Sequence, residues 1–144
     1  VLLVCCLAHC RRKFYEAIPA ERRKKLKLLD INSEEEIKEP LLPKKEEVPG
    51  MIPAEVGLAY CNKLFFFEKQ FRDLTPEERK DRRLETEVPV WESFYAWLEH
   101  LNPVKRSKLE KAVIYAKNHK ETLRNYLQDG RCEISNNAAE PLPV

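Results

Sequence analysis

The sequence predicts a mainly α-helical chain with one buried strand at its N-terminal end and one short strand near its C-terminal end. Three observations carry this. Apolar residues recur at helical spacing from Ala54 to Leu127, two helix-start signatures stand at Thr75 and Ser107, and the opening Val1-Leu2-Leu3-Val4-Cys5-Cys6-Leu7 is apolar without alternation. The last pattern suits a strand covered on both faces.

The elements follow in order. After the strand at Val1–Leu7, a helix is expected from Ala8 to Ile18, stopped by Pro19, with Arg11, Arg12 and Lys13 early and Phe14, Ala17 and Ile18 later. A basic helical stretch then runs from Arg22 through Lys27 to Leu29. From Asp30 to Pro53, Pro40, Pro43, Pro49, Pro53 and Gly50 among Glu and Lys clusters read as an extended connection, in which Ser33-Glu34-Glu35-Glu36 can cap one helical turn. Ala54 to Leu74 carries an apolar stripe at Val56, Tyr60, Leu64, Phe67 and Phe71, widened by Phe65 and Phe66.

Thr75-Pro76-Glu77-Glu78 is a start signal, with Thr75 as N-cap, Pro76 at the first helical position and Glu78 closing a capping box. That charged helix is expected to end before Pro89, which opens another with Trp91, Phe94, Leu98 and Leu101 on one face and Trp97 beside it. Ser107-Lys108-Leu109-Glu110 is a second capping box, leading one long helix through Leu127 that Gly130 terminates. Arg131 to Ile134 is the short C-terminal strand, and Asn136-Asn137 can cap a last helix from Ala138.

Composition bounds the function only loosely. The chain has 144 residues, enough for one domain or a half-domain with an appendage. Lys and Arg number 26 against 24 Asp and Glu, so any case for nucleic acid must come from where the cations sit. Five cysteines, three of them crowded at positions 5, 6 and 10, with no secretion signal, point to reduced thiols in a cytoplasm. The apolar opening is too short to span a membrane. With no initiator Met, the chain reads as starting inside a longer frame.

Few residue patterns suggest chemistry. Cys5, Cys6, His9 and Cys10 are zinc-ligand types, but no paired C-x-x-C follows, and cysteines in an apolar run read as small hydrophobes. There is no G-x-S-x-G elbow, and the three glycines form no phosphate loop. The aromatic residues Phe65, Phe66, Phe67, Trp91 and Trp97 read as helix–helix core, and His100 and His119 as surface residues. The cations Arg11, Arg12 and Lys13 fit either phosphate contact or a solvated helix face.

Two blocks are more specific. Leu7-Ala8-His9-Cys10-Arg11-Arg12-Lys13-Phe14 resembles a signature of insertion-sequence family sixty-six (IS 66) transposases. Lys111-Ala112-x-x-Tyr115-Ala116, followed by Leu123-x-x-Tyr126-Leu127-x-Asp129-Gly130-Arg131-x-Glu133-Ile134-Ser135-Asn136-Asn137-x-Ala139-Glu140, is similar to that family's later signature in order and separation.

The resemblance implies a DDE-type enzyme that cleaves and joins DNA strands at transposon ends. It implies a ribonuclease-H-like α/β fold interrupted by a helical insertion. Residues 1–18 would be a strand–helix piece of the core, 19–53 a basic then Pro/Glu/Lys-rich connection, 54–129 the insertion, and 130–144 a truncated strand–helix. Glu140 would be the third catalytic acid and a metal ligand. His9, Arg11, Arg12, Lys13, Arg131, Asn136 and Asn137 would contact DNA.

The cofactor implied for the intact parent is Mg²⁺ or Mn²⁺, with none expected on this segment, because the two aspartates of the family's triad lie upstream of Val1. Transposon-end DNA and other transposase subunits are the implied partners. The family pattern departs after Glu140, where Pro141-Leu142-Pro143-Val144 replaces a basic continuation. Against this stand a non-catalytic helical module that binds DNA or protein, and a decayed remnant.

Overall fold

The structure is a computed structural model that describes residues 6–26 and 51–132. The described elements are α1 (Leu7–Glu16), α2 (Ala20–Leu26), α3 (Pro53–Gln70), α4 (Pro76–Glu99), α5 (Lys108–Asn118), α6 (Lys120–Arg124) and a 3₁₀ turn over Asn125–Gln128. Among the described residues there is no strand, so the expected α/β fold with N- and C-terminal strands is overturned. Residues 1–5 of the expected first strand lie outside the described residues, but Leu7 already begins α1. Its side chain is buried with Cys10, Phe14 and Ile18, at spacings of three and four. A short apolar run does not by itself distinguish a buried strand from the buried face of a helix, and here the helix takes it. At the other end, Arg131 and Cys132 form a turn, whereas Glu133 and Ile134 lie outside the described residues. So do Cys5, the Ser33–Glu36 cap, most of the proline-rich connection, and Asn136, Asn137 and Glu140.

α1 packs against both α3 and α5, α3 against α4, and α4 against α5 and the 3₁₀ turn. Their shared core centres on aromatic rings. Phe14 of α1 meets Phe94 of α4 edge-on at 6.0 Å between ring centres, Tyr60 of α3 lies 5.5 Å from Phe94, and Trp91 lies 5.8 Å from it. Such edge-to-face and tilted pairs place positive ring edges on negative faces and add to the gain from burial. Gly57 lets α1 approach α3 this closely, since a Cβ there would stand 2.3 Å from Phe14 Cδ1.

Both start signals hold, with altered details. Thr75 Oγ1 accepts from the Glu78 amide at 3.2 Å, but the Glu78 carboxylate takes the Thr75 hydroxyl at 2.9 Å rather than its backbone amide. Ser107 Oγ accepts from the Glu110 amide at 3.1 Å, and the Glu110 carboxylate reaches the Arg106 amide instead. Ile52 adds an unforeseen start, its amide donating to Glu55 Oε1 at 3.0 Å ahead of Pro53.

Two helix boundaries differ from expectation. Pro89 does not separate two helices but lies inside α4. Its missing N–H removes one bond, yet Pro89 is exposed, so water can meet the freed carbonyl, and buried residues on both sides hold the helix as one rod. The expected long final helix is instead broken at His119, whose φ of −110° and ψ of 23° end α5. The break turns Leu123, Tyr126 and Leu127 into the core beside α4. His119 is accordingly half-buried, stacked 4.3 Å from the Tyr115 ring, rather than a plain surface residue.

Candidate functional site

Residues at two places correspond to the expected site. The first is α1. His9 and Arg12 are exposed, whereas Arg11 and Lys13 are half-buried and engaged with neighbouring helices. Arg11 Nε donates to Asn62 Oδ1 of α3 at 2.8 Å, and the Lys13 ammonium lies 5.2 Å over the Tyr115 ring of α5. Because α1 starts at Leu7 and is short, Lys13 falls in its last turn, where a cation suits the helix dipole rather than opposing it. The three consecutive cations thus serve different ends: two knit α1 to its neighbours, and Arg12 with His9 faces outward. On α2, Arg22 Nε donates to Glu55 Oε1 at 3.1 Å, tying the basic stretch to α3.

Of the cysteines near α1, Cys10 behaves as the hydrophobic reading expects, whereas Cys6 is half-buried and Cys5 lies outside the described residues. Cys10 and Cys61 are buried, and the Cys10 thiol is pushed well above its usual range by the Cys61 side chain and by burial. A thiol held protonated is a poor metal ligand or nucleophile.

The second place is the turn formed by Asp129, Gly130, Arg131 and Cys132, which ends the described chain. Arg131 Nη2 donates to Asp129 Oδ2 at 2.8 Å, and the Arg131 amide donates to Asp129 Oδ1 at 2.9 Å. This pairing holds the Asp129 carboxyl at a pKa of about 2. The Cys132 amide closes the turn on the Asp129 carbonyl at 3.0 Å. Gly130 was expected to terminate a helix. Its role is close approach instead, since a Cβ there would fall 1.7 Å from the Pro76 carbonyl oxygen at the start of α4.

Two arginines one turn apart on α4 hold this turn. Arg79 donates to the carbonyls of Gly130 at 2.8 Å, Arg72 at 2.8 Å, Leu74 at 3.0 Å and Phe71 at 3.1 Å. Arg83, only 1% exposed, donates to the carbonyls of Tyr126 at 3.0 Å, Cys132 at 2.7 Å and Asp129 at 3.3 Å. Arg83 also makes a two-pronged ion pair with Glu68 of α3, with Nε–Oε2 at 3.0 Å and Nη2–Oε1 at 2.5 Å.

Beneath Arg83 lies a polar chain that sequence reasoning missed. Trp91 Nε1 donates to Tyr126 Oη at 2.9 Å, and Tyr126 Oη donates to Glu87 Oε1 at 2.5 Å. Glu87 is fully buried and no donor reaches its Oε2. Burial, and next the neighbouring Glu68 carboxylate, push the Glu87 carboxyl well above the usual range, against the pull of Tyr126 and Arg83. The segment Arg79-Lys80-Asp81-Arg82-Arg83-Leu84-Glu85-Thr86-Glu87 looks like a solvated helix. The available signal was periodicity, because Glu87 and Arg83 lie four and eight positions before Trp91 and so continue its buried face.

Among the described residues, no group of three His, Cys, Asp or Glu side chains converges as a metal site would need. None of the described helices is long and apolar enough to cross a membrane.

Comparison with known proteins adds two findings. The family model described as "Transposase IS66 family" matches residues 1–141. A protein of Sinorhizobium fredii (strain NBRC 101917 / NGR234), described as "Uncharacterized protein y4hP", is 28% identical over 137 residues, covering 94% of this chain and 22% of that protein. The chain therefore spans less than a quarter of that relative's length. No solved structure matches.

Proposed function

Because the chain belongs to the IS66 transposase family, we propose that it is a segment of a DDE-type transposase that cleaves and joins DNA strands at transposon ends in the bacterial cytoplasm. The observation that carries this reading is the family match over residues 1–141, which takes in the run from Asp129 to Glu140. Glu140 is the acid of that run in the transposition site. It acts jointly with the two further carboxylates of the family's triad, which match no position of this sequence. Bound there, a pair of Mg²⁺ or Mn²⁺ ions would stabilise the charge that builds on the attacking and leaving oxygens of the phosphodiester. This chain's own part is to present one carboxylate and to hold the preceding turn.

The purified 144-residue polypeptide is expected to show no Mg²⁺-dependent nicking of a duplex carrying the transposon end. Nicking that disappears in Glu140→Ala would overturn the view that the segment depends on further carboxylates, while upholding Glu140 as an acid of the site.

A second reading, a non-catalytic helical module, is favoured by the outward Arg12 and His9 on α1. If α1 meets DNA phosphates, duplex affinity falls with salt at roughly 0.9 log units per phosphate contact per log unit of salt, and Arg12→Ala lowers that slope by about one contact. Filter binding between low and moderate salt measures it. A slope unchanged by Arg12→Ala would remove α1 from the DNA interface.

A further inference from the structure

The outward side of α5, with the loop before it, carries charge of one sign. Lys105, Arg106, Lys108, Lys111 and Lys117 are all exposed, and no carboxylate among the described residues pairs with them. The only acid between Val104 and Asn118 is Glu110, which is half-buried and accepts from the Arg106 amide at 2.9 Å. Composition does not force this, since the whole chain holds 26 Lys and Arg against 24 Asp and Glu. The outward face of α4 has the mixed pattern of an ordinary solvated surface, with Lys80, Asp81, Arg82 and Glu85 interspersed and Arg82 Nη1 3.8 Å from Glu85 Oε2.

The face on α5 also carries local costs. Lys108 stands in the first turn, where a cation opposes the helix dipole, and Lys111 three positions on adds like-charge repulsion. Arg106 has a φ of 67°, a left-handed conformation that glycine adopts without strain. Wetting alone requires none of these features.

The residue types select the partner. Protein–protein interfaces are depleted in lysine and enriched in aromatic residues, whereas this face has four lysines and no exposed ring. Val104 and Ile114 are exposed beside the cations, but two apolar side chains make no interface core. Single-stranded nucleic acid needs rings on which bases stack, and Tyr115 of α5 is half-buried with the Lys13 ammonium over it. Lysine and arginine on phosphate oxygens are the contacts that hold a duplex. From Lys108 to Lys117 the helix rises about 14 Å, enough to meet several phosphates of a duplex that carries one charge per roughly 1.7 Å of its axis.

We propose that Lys105, Arg106, Lys108, Lys111 and Lys117 form a duplex-DNA interface that grips the phosphate backbone without reading sequence. This rests on the reading of the chain as part of a DNA-handling transposase, and it places a contact surface on residues other than those of α1 and the Asp129 turn.

The test combines Lys108→Gln, Lys111→Gln and Lys117→Gln in the 144-residue chain, three exposed positions whose replacement leaves the core untouched. Fluorescence anisotropy with a labelled duplex of arbitrary sequence, over a series of salt concentrations, should show weaker binding at low salt. The log–log salt slope should fall by about one for each lysine lost. Lys→Arg at the same three positions keeps the charges and should retain the wild-type slope. Arg72→Gln, Lys80→Gln and Arg82→Gln together remove the same charge from another surface and should leave the slope unchanged.

Wild-type affinity and slope in the α5 variant would leave the face to an acidic protein and overturn the assignment. An equal loss in both Gln variants would overturn it as well, since the attraction would then be diffuse, and so would a wild-type chain that binds no duplex at low salt. The transposase reading fails separately, if a longer protein containing this segment does not cleave transposon ends.

Discussion

Replacing Arg83 with Met is expected to destabilise the chain by about 3–5 kcal/mol, because it removes the cation from a buried cluster and leaves Glu68 and Glu87 facing each other. Met roughly fills the volume, so the loss is electrostatic rather than a cavity. Urea unfolding followed by tryptophan fluorescence, with both Trp91 and Trp97 on α4, measures it.

The loss should depend on pH, in a direction set by Glu87. Its carboxyl is raised in the folded chain, so folding favours its protonated form. An acid raised in this way costs no stability below its unfolded value of about 4.3, and it costs progressively more as pH rises towards the folded value. Without Arg83 the burden of a second carboxylate grows. The variant should therefore lie closest to the wild type near pH 4, and the gap should widen as pH rises towards the folded value of Glu87. A second change, Glu68→Gln, should recover part of the loss at neutral pH. An equal deficit at all pH values would mean that the two carboxyl groups do not share this environment.

Gly130→Ala should have the next largest effect. The added methyl would lie 1.7 Å from the Pro76 carbonyl oxygen and 2.6 Å from its carbon, and both belong to backbone rather than to a yielding side chain. Overpacking of a well-filled site costs about 1–3 kcal/mol, and a clash with backbone belongs at or above the top of that range. The turn must then lift from α4, which also weakens the bonds from Arg79 and Arg83. A lowered urea midpoint should accompany faster exchange at the Arg131 and Cys132 amides. A midpoint equal to wild type would show that the turn does not rest on Pro76 in solution.

Much of the helical scaffold was legible in the sequence because local chemistry specifies it. Thr75 and Ser107 cap α4 and α5 where their hydroxyls predict, since an N-cap satisfies orphan amides within one turn and needs no distant partner. The aromatic stripe of Trp91, Phe94 and Leu98 is core for the same reason of period. Leu7 misled because an apolar run looks alike on a buried strand and on a buried helix. Pro89 and His119 misled in opposite directions: a proline is tolerated inside α4, while an unremarkable histidine breaks the last helix, and both outcomes depend on what packs alongside.

The candidate site divides in the same way. His9, Arg11, Arg12, Lys13 and Arg131 stand out in the sequence as cations in patterned blocks, but nothing local says that Arg11 reaches Asn62, that Lys13 covers Tyr115, or that Arg131 pairs with Asp129. The sequence by itself determined the family, the caps and the apolar faces, all of which are written in residues a few positions apart. Only the tertiary structure decided that Arg79, Arg83, Glu68, Glu87 and Tyr126 are one connected assembly. Charged side chains are buried only when partners 15 to 49 positions away complete their hydrogen bonds, and no short-range pattern encodes such partners.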